Sequence, residues 1–519
     1  MKRVLCLIGA VIMLGGVAIV GTPAQAVLAK PAGVPISWHK CPGEATVQCG
    51  SLRLPVDWAH PHGATFKLAL ARRKATDPKS RIGSLLVNPG GPGGSGVDFA
   101  QYGDEYFSAN LRKHFDIVGF DPRGVARSHP VVCSTQALQH AGNNVILPTT
   151  SAAFARLTAY NRQLANDCRK HTGPLFDHLD SVSVAHDIDA IRIALGEQKI
   201  SWYGVSYGTL LGQMYAELYP RHIRGMVLDS NMDHSVRTPT FLLTQAATVE
   251  DSFAEFAKWC DRTKACALHG RSVQAVWKAL LARADAGKLT DPFYPQRISA
   301  FELIDSTTSY LPGPYWSDLA AWLESLRSGK SDGDAARMSR SRPDTELEQD
   351  PFPAIFCEDW NLPVHGAHDM AWLWRLSKAV APNMRTSMLG LGAVTGCIGW
   401  PAKVQNPQHR LHVSRSAPTL YVVNALHDPS TPYAWAVADV RQLGRRAAFV
   451  TYNGWGHGTY GRSSCTTDLP DRYLITLKVP ARGTHCAAAT PSAAAAALDP
   501  ARPAVTVPRP RPGVGGYQR

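Results

Sequence analysis

Apolar positions along the chain follow two different rhythms. In the first, short apolar runs are closed at their ends by Gly, Pro or Asp: Ser84–Asn88, Phe115–Phe120, Ser201–Val205, Arg224–Leu228, Thr419–Asn424 and Ala448–Tyr452. Runs of this length, polar only at their ends, predict strands of a parallel sheet covered on both faces. Between two of them, Val184–Leu195 sets Ile188, Ile191 and Leu195 at helical spacing and stops at Gly196. That pattern predicts a helix with a glycine terminator. Strands alternating with helices predict βαβ units, and hence an α/β architecture with a doubly wound, mostly parallel sheet. Two earlier pieces, Ser51–Val56 and Phe66–Ala71, predict strands ahead of the alternation.

The rhythm changes after Asp229. Over 233–412 the pattern is helical and irregular and carries Trp259, Trp277, Trp316, Trp322, Trp360, Trp372 and Trp374; strand-like runs return at Pro418. A helical lid inserted between two core strands is the expectation, with most of its tryptophans as core packing and a minority lining a substrate pocket. The boundaries that follow are a core over 27–232, the lid over 233–412, the rest of the core over 413–486, and a tail over 487–519. The tail is rich in Ala, Pro and Arg and has too few large apolar residues to fold. No internal repeat is present.

The N-terminus adds a compartment. Lys2 and Arg3 precede an apolar stretch, Val4–Val20, and Ala24-Gln25-Ala26 closes it with small residues. This predicts a secretory signal peptide over 1–26. No Cys stands at the cleavage point, so a lipid anchor is not expected, and no later run approaches the roughly 20 apolar residues of a spanning helix. Of 11 cysteines, Cys6 leaves with the signal. The ten that remain form an even set, which in an exported chain predicts disulfides. Pairing neighbours in order is the simplest arrangement: 41 with 49, 133 with 168, 260 with 266, 357 with 397, 465 with 486. No CxxC pair or Cys/His cluster suggests a metal.

The formal charge of +13 falls to +11 without Lys2 and Arg3. No Lys/Arg-rich helix with interleaved aromatics accompanies it, so nucleic acid is not an expected partner. A basic tail suits contact with anionic polymer of the cell envelope.

The chemistry concentrates in four places. Gly204-Val205-Ser206-Tyr207-Gly208 matches G-x-S-x-G between a predicted strand and a predicted helix. In that context the serine is a nucleophile on a strained turn, and its neighbours must be small. Asn88-Pro89-Gly90-Gly91-Pro92-Gly93-Gly94-Ser95-Gly96 follows another strand. Its backbone N–H groups can face a tetrahedral oxyanion, and the N–H groups of Gly91 and Tyr207 are the expected pair. It lacks the Lys-Ser/Thr ending of a phosphate-binding loop and the spacing of a dinucleotide fingerprint. His457, in Gly456-His457-Gly458, follows the last strand-like run and is the expected base. Asp428, in Asp428-Pro429-Ser430-Thr431-Pro432, follows the preceding strand and is the expected orienting acid. His427 is read as a loop neighbour, and Asp229 as the fallback acid.

Taken together, Asn88–Gly96, Asp121-Pro122-Arg123-Gly124, Trp202–Gly208, Asp428–Pro432 and Gly456-His457-Gly458 resemble the exported tripeptidyl-aminopeptidase-like branch of the α/β-hydrolase superfamily, which is related to prolyl aminopeptidases. The similarity runs from about Leu54 to Tyr460. It implies Ser206, Asp428 and His457 as a triad, and hydrolysis of short peptides from a free N-terminus. One departure is visible: the prolyl aminopeptidase relatives carry His before the Gly-Gly-Pro-Gly turn, and this chain has Pro89. An aminopeptidase must also bind an ammonium group. Glu358 and Asp359, in Cys357-Glu358-Asp359-Trp360, are the expected acids, with a solvated acidic turn as the competing reading.

The expectation is therefore a secreted serine aminopeptidase acting through an acyl-enzyme, with peptide as substrate and no metal or organic cofactor. The alternatives are an exported esterase or lipase with the same triad, and a non-catalytic hydrolase-like binding protein of the envelope.

Overall fold

A computed structural model of the 519-residue chain describes residues 35–139, 147–292, 297–330 and 346–490. The expected signal peptide and all but the first residues of the expected tail lie outside the described residues.

Ten strands form one sheet: β1 (His39–Cys41), β2 (Glu44–Pro55), β3 (Thr65–Arg73), β4 (Gly83–Asn88), β5 (Phe115–Phe120), β7 (Ile200–Val205), β8 (Ile223–Asp229), β10 (Leu420–His427), β11 (Ala447–Trp455) and β12 (Thr484–Cys486). Two short strands, β6 (Val132–Ser134) and β9 (Leu347–Gln349), pair separately. The sheet order is β1-β2-β3-β5-β4-β7-β8-β10-β11-β12. β1, β2, β3 and β5 pair antiparallel, and every pairing from β5 through β4 to β12 is parallel. This is the doubly wound, mostly parallel sheet that the apolar runs predict. β12 and the β6–β9 pair were not foreseen, because three-residue strands give no periodic signal.

The strands alternate their side chains between two packed layers. Leu86, Trp202, Leu228 and Val422 share one core with Ile188 and Leu211 of the helices Ser181–Ala194 and Tyr207–Leu218. Leu85, Val87, Tyr203 and Val423 face the other way, onto Phe99 and Leu474 of the helices Gly96–Gln101 and Ser464–Thr476. A strand buried on both faces needs apolar residues at successive positions, which is why these runs do not alternate with polar residues.

β4 lies between β5, which follows it in the chain, and β7, which starts the walk in the opposite direction. Ligand sites of open α/β sheets form at such a reversal, outside the carboxyl ends of the strands. Asn88, Ser206, Asp229 and Asp428 all stand at or just past those ends.

Between β8 and β10 the chain runs through helices Thr238–Arg262, Val273–Asp285, Ala300–Ser309, Trp316–Ser328, Pro351–Asp359, Ala367–Val380 and Met388–Gly396. Much of this insertion has its own core, with Phe253, Phe256, Trp259, Trp277 and Trp316 inside it. The helix Pro351–Asp359 packs differently. Phe352, Ile355, Phe356 and Trp360 pack into the sheet's core beside Tyr207 and Phe241. Five apolar residues within ten positions give this segment more apolar surface than an outer layer could cover. Trp372 is 42% exposed and belongs to neither core.

All five disulfides join neighbouring cysteines in order: Cys41–Cys49, Cys133–Cys168, Cys260–Cys266, Cys357–Cys397 and Cys465–Cys486.

Candidate active site

Ser206 stands between β7 and the helix Tyr207–Leu218 with φ 59° and ψ −126°, a region that non-glycine residues rarely occupy. The turn is held by its neighbours. Ser206 N–H donates to Asp229 O at 3.0 Å, and the Thr209 N–H and hydroxyl both donate to Ser206 O, at 2.8 and 2.6 Å. Small neighbours are required for contact reasons. A Cβ on Gly208 would lie 2.6 Å from Asn88 O, so the residue two beyond the serine touches the end of β4. The serine is 6% exposed.

The glycine loop after β4 lies against this turn. Gly90 has φ +89°, and a Cβ there would meet Val205 O at 2.5 Å, Tyr207 N at 2.7 Å and Ser206 Cβ at 2.9 Å. Gly91 follows, also with positive φ. Tyr207 is the first residue of its helix, where an N–H has no intrahelical acceptor. The residue next to Gly91 therefore lies directly against Ser206 and the Tyr207 amide. Asp121 secures the far end of the loop, accepting from Ser95 Oγ at 2.5 Å and Val97 N–H at 3.1 Å. Arg123, fully buried, is clamped by Asp187 and by the carbonyls of Val56 and His178. The Asp121–Gly124 segment thus supports the framework from behind.

His457 sits in the loop after β11. Its Nδ1 lies 3.0 Å from both carboxylate oxygens of Asp428. Asp428 is 0% exposed and also accepts from the N–H groups of Ser430 and Thr431 and from the Thr431 hydroxyl, at 2.8, 2.9 and 2.9 Å. Burial alone would push the Asp428 carboxyl up. The electrostatic pull of the His457 ring, its hydrogen bond and the Thr431 and Ser430 N–H groups outweigh burial and hold it below its ordinary range. An ionised carboxylate only accepts, so the proton rests on Nδ1 and leaves Nε2 as an acceptor. Nε2 is enclosed and has no partner. The Ser206 hydroxyl and the imidazole are thus not joined here, a looseness common before substrate arrives.

Two residues beside these escaped the sequence reading. Thr431 Oγ1 lies 3.3 Å from His457 Nδ1 while binding Asp428. Its signal was available: an acid followed three residues later by Thr is an Asx-type turn, whose hydroxyl and amide return to the carboxylate. Ser230, with φ +60°, accepts from Gly458 N–H at 2.9 Å; nothing in its neighbourhood announced it. Asp229, the fallback acid, does not reach the imidazole. It binds the main chain of Thr459 and Tyr460 instead. His427 turns away and pairs through Nδ1 with Asp251, at 2.7 Å.

Glu358 and Asp359 are not a solvated turn; both are enclosed. Glu358 Oε2 accepts from Leu179 N–H at 2.7 Å. Asp359 Oδ1 accepts from the Ser181 N–H and hydroxyl, and Oδ2 from the Tyr207 hydroxyl at 2.5 Å. Glu358 Oε1 has no donor. Burial and neighbouring Asp180 push Glu358 well above its ordinary range and Asp359 up to about 7. The pair therefore reaches the candidate site through Tyr207, the residue after the serine.

Among the described residues, Asp251, Glu255 and His427 form a group whose ligand-type atoms lie within 4.8 Å of one another. Their bonds are already made within the chain: Asp251 to His427, and Glu255 to Lys258 and the Trp455 N–H.

Known proteins with this pattern bear on the chemistry. The family model described as "alpha/beta hydrolase fold" matches residues 83–461. A protein named serine protease Hip1, from Mycobacterium tuberculosis, is 32% identical over 510 residues, covering 92% of this chain and 95% of its own. A tripeptidyl aminopeptidase from Streptomyces lividans is 30% identical over 484 residues, covering 88% of each chain. A protein named carboxylesterase B, from Mycobacterium tuberculosis, is 32% identical over 515 residues, covering 92% and 96%.

Proposed function

The chain belongs to the alpha/beta hydrolase fold family, in its tripeptidyl-aminopeptidase-like branch, and is a serine hydrolase; from that premise we propose that it is an exported aminopeptidase that releases tripeptide-sized pieces from free N-termini. The observation that carries the reading is His457, bound at Nδ1 by a buried carboxylate and without a partner at Nε2. The orphan nitrogen is the acceptor that a serine hydroxyl needs.

In the proposed reaction, Ser206 Oγ attacks the scissile carbonyl carbon as His457 Nε2 takes the hydroxyl proton. The carbonyl oxygen becomes an oxyanion between the N–H groups of Gly91 and Tyr207. Collapse expels the amine, which carries away the proton from Nε2 and leaves Ser206 acylated. Water then attacks the ester by the same proton route and frees the peptide acid. Asp428 keeps Nδ1–H in place and stabilises the transient imidazolium.

A free N-terminus calls for an acid without a cation of its own. Glu358 and Asp359 meet this: no ion pair involves either among the described residues, and Glu358 Oε1 lacks a donor. Their enclosure requires that the helix Pro351–Asp359 yield before an ammonium can reach them, so this assignment carries its own condition. Export is supported by five disulfides, and no helix among the described residues is long and apolar enough to cross a membrane. The basic tail remains the proposed contact with envelope polymer.

The second reading, an exported esterase, is favoured by the relative named carboxylesterase B, as similar as the named protease. A tripeptide p-nitroanilide with a free N-terminus, its N-acetylated form and a short p-nitrophenyl ester separate the two. The aminopeptidase reading expects cleavage of the first, at least 100-fold loss on acetylation as an order-of-magnitude mark, and no turnover by Ser206→Ala. Equal cleavage of the acetylated peptide, or turnover of the ester alone, would sink it.

A further inference from the structure

Asp229 ends β8, in register with Val205 of the strand that carries Ser206. Its side chain is fully enclosed, and no cation pairs with it among the described residues. It gathers donors from both sides. The Tyr203 hydroxyl donates at 2.6 Å from β7. From the segment after His457 come the Thr459 N–H, at 3.0 and 2.9 Å to the two oxygens, the Thr459 hydroxyl at 3.0 Å, and the Tyr460 N–H at 3.3 Å. The main chain of the same residue holds the other partner, since Ser206 N–H donates to Asp229 O at 3.0 Å. Ser230 completes the grip, accepting from Gly458 N–H and donating to Asp229 Oδ1 at 3.3 Å. Two consecutive residues at one strand end thus bind the amides of residues 206, 458, 459 and 460.

We propose that Asp229 is a positioning residue for the Ser206–His457 couple, one whose carboxylate sets the height of the His457 loop over the serine and, behind Asp428, adds negative potential that favours the imidazolium. This rests on the proposed roles of Ser206 and His457. The donor set argues for a carboxylate rather than a neutral acceptor. Two N–H and three O–H groups converge on it, and an amide would turn an NH2 toward at least one of them. Burial leaves the Asp229 carboxyl above its ordinary range, while the Tyr203 hydroxyl, the Thr459 N–H and hydroxyl and the charge of His457 oppose that rise.

Other charges face His457 and set the background. Asp428 binds its Nδ1. The Arg462 guanidinium binds the carbonyls of Gly458, Pro312 and His457, at 2.8, 2.8 and 3.1 Å. Tyr106 stacks on Tyr460 below the loop. Beyond the β11 end lie His427 with Asp251, and Glu255 with Lys258. Among the described residues, only Asp229 ties directly to the loop's amides with an acid side chain.

The test is the rate at which a fluorophosphonate labels Ser206, followed against pH in the full chain, because that rate reads His457 ionisation whatever the natural substrate. In Asp229→Asn the plateau is expected to fall roughly 10- to 100-fold from misplacement. The acidic limb is expected to move to lower pH by roughly half a unit to one unit, because the imidazolium loses a stabilising charge. A limb that stays in place, or moves upward, overturns the inference, since a merely structural defect lowers the plateau alone. Thr459→Val covers the case in which Asp229→Asn does not fold. It removes one strap and keeps the charge, so its plateau should drop several-fold with the limb unmoved; wild-type labelling would overturn the positioning role. Failure of the wild type to label at Ser206 would remove the underlying reading, an outcome distinct from either.

Discussion

Replacing Asp428 with Asn tests the base assignment most sharply, because the amide can sit in only one orientation. Oδ1 of Asp428 accepts from both the Ser430 and Thr431 N–H groups. The amide oxygen must occupy that position, which sends the NH2 to the place of Oδ2. There it meets the Thr431 hydroxyl, which can turn to accept, and His457 Nδ1 at about the native 3.0 Å. The amide oxygen stays 3.0 Å from Nδ1, but the NH2 at the same distance repels Nδ1–H and donates to a bare Nδ1, so the ring proton is drawn toward Nε2, the atom that should receive the serine proton. The base is then in the wrong tautomer, and the imidazolium also loses its counter-charge. Loss of the triad acid's charge with its shape kept costs about 10,000-fold in kcat in the worked protease case, or about 5 kcal/mol of barrier. We expect that order of loss here, with KM little changed. The assay is turnover of a free-N-terminus tripeptide p-nitroanilide, with fluorophosphonate labelling and a thermal melt to show that the variant is folded. A folded Asp428→Asn within tenfold of wild-type kcat would refute the tautomer argument and move the acid's role elsewhere.

Four further outcomes follow from the same geometry. Thr431→Val removes the hydroxyl shared by Asp428 and His457; kcat should fall about tenfold, the worth of one net hydrogen bond, and an unchanged kcat would refute a positioning role. Gly90→Ala puts a methyl 2.5 Å from Val205 O at a φ of +89°; labelling of Ser206 should drop at least 100-fold, on the order of losing one oxyanion donor, and near-normal labelling would show that the loop does not need its present approach. Removing Cys357–Cys397 by paired Ser substitutions opens a loop of 40 residues; chain entropy sets the loss at about 4 kcal/mol, read by chemical denaturation, and a loss below about 1 kcal/mol would contradict it. For Asp359, raised to about 7, the folded chain holds a proton that the unfolded chain releases above its ordinary value near 4. Stability from this group is therefore complete at low pH and declines as pH rises from about 4 to 7; Asp359→Asn should flatten that part of the profile, and identical slopes in melts taken across the range would refute the assignment.

What the chain discloses in advance divides along a physical line. Strand runs such as Phe115–Phe120 and the turn at Gly204–Gly208 are legible because burial on both faces and close backbone approach each demand residue types at consecutive positions. The order Ser206, Asp428, His457 is legible because each follows a strand-like run and ends at the same sheet edge. Asp229 is legible only as an acid at a strand end. Whether it serves the imidazole or the loop beneath it depends on a register between β8 and the His457 loop, which no local pattern encodes. Glu358 and Asp359 illustrate the converse. Two adjacent acids read as exposed from composition, and only the packing of Phe352, Phe356 and Trp360 into the sheet's core draws them inside. Three-residue strands such as β12 carry too few positions for any period, and β12 is anchored by Cys465–Cys486 instead.

The question of peptide or ester turns on the leaving group, and so on the His457 loop, more than on Ser206. In the proposed site, acylation of either substrate would pass through the same tetrahedral oxyanion, which the Gly90–Gly91 loop and the Tyr207 amide would meet alike. An alkoxide can depart with little help, whereas an amine must receive a proton from His457 Nε2 as the bond breaks. Amide cleavage therefore depends more on the imidazole's position and basicity, which in the proposed site Asp428, Thr431, Asp229 and Ser230 would govern together. The insertion touches the same loop, because Pro312 O accepts from His457 N–H at 2.9 Å and from Arg462 at 2.8 Å. A displacement of the segment around Pro312 would thus be felt at the His457 loop. A hydrolase whose loop is held by two buried carboxylates and by its own insertion is built to place a proton accurately, the more demanding requirement of the amide, and this weighs toward the peptide reading on grounds independent of any relative's name.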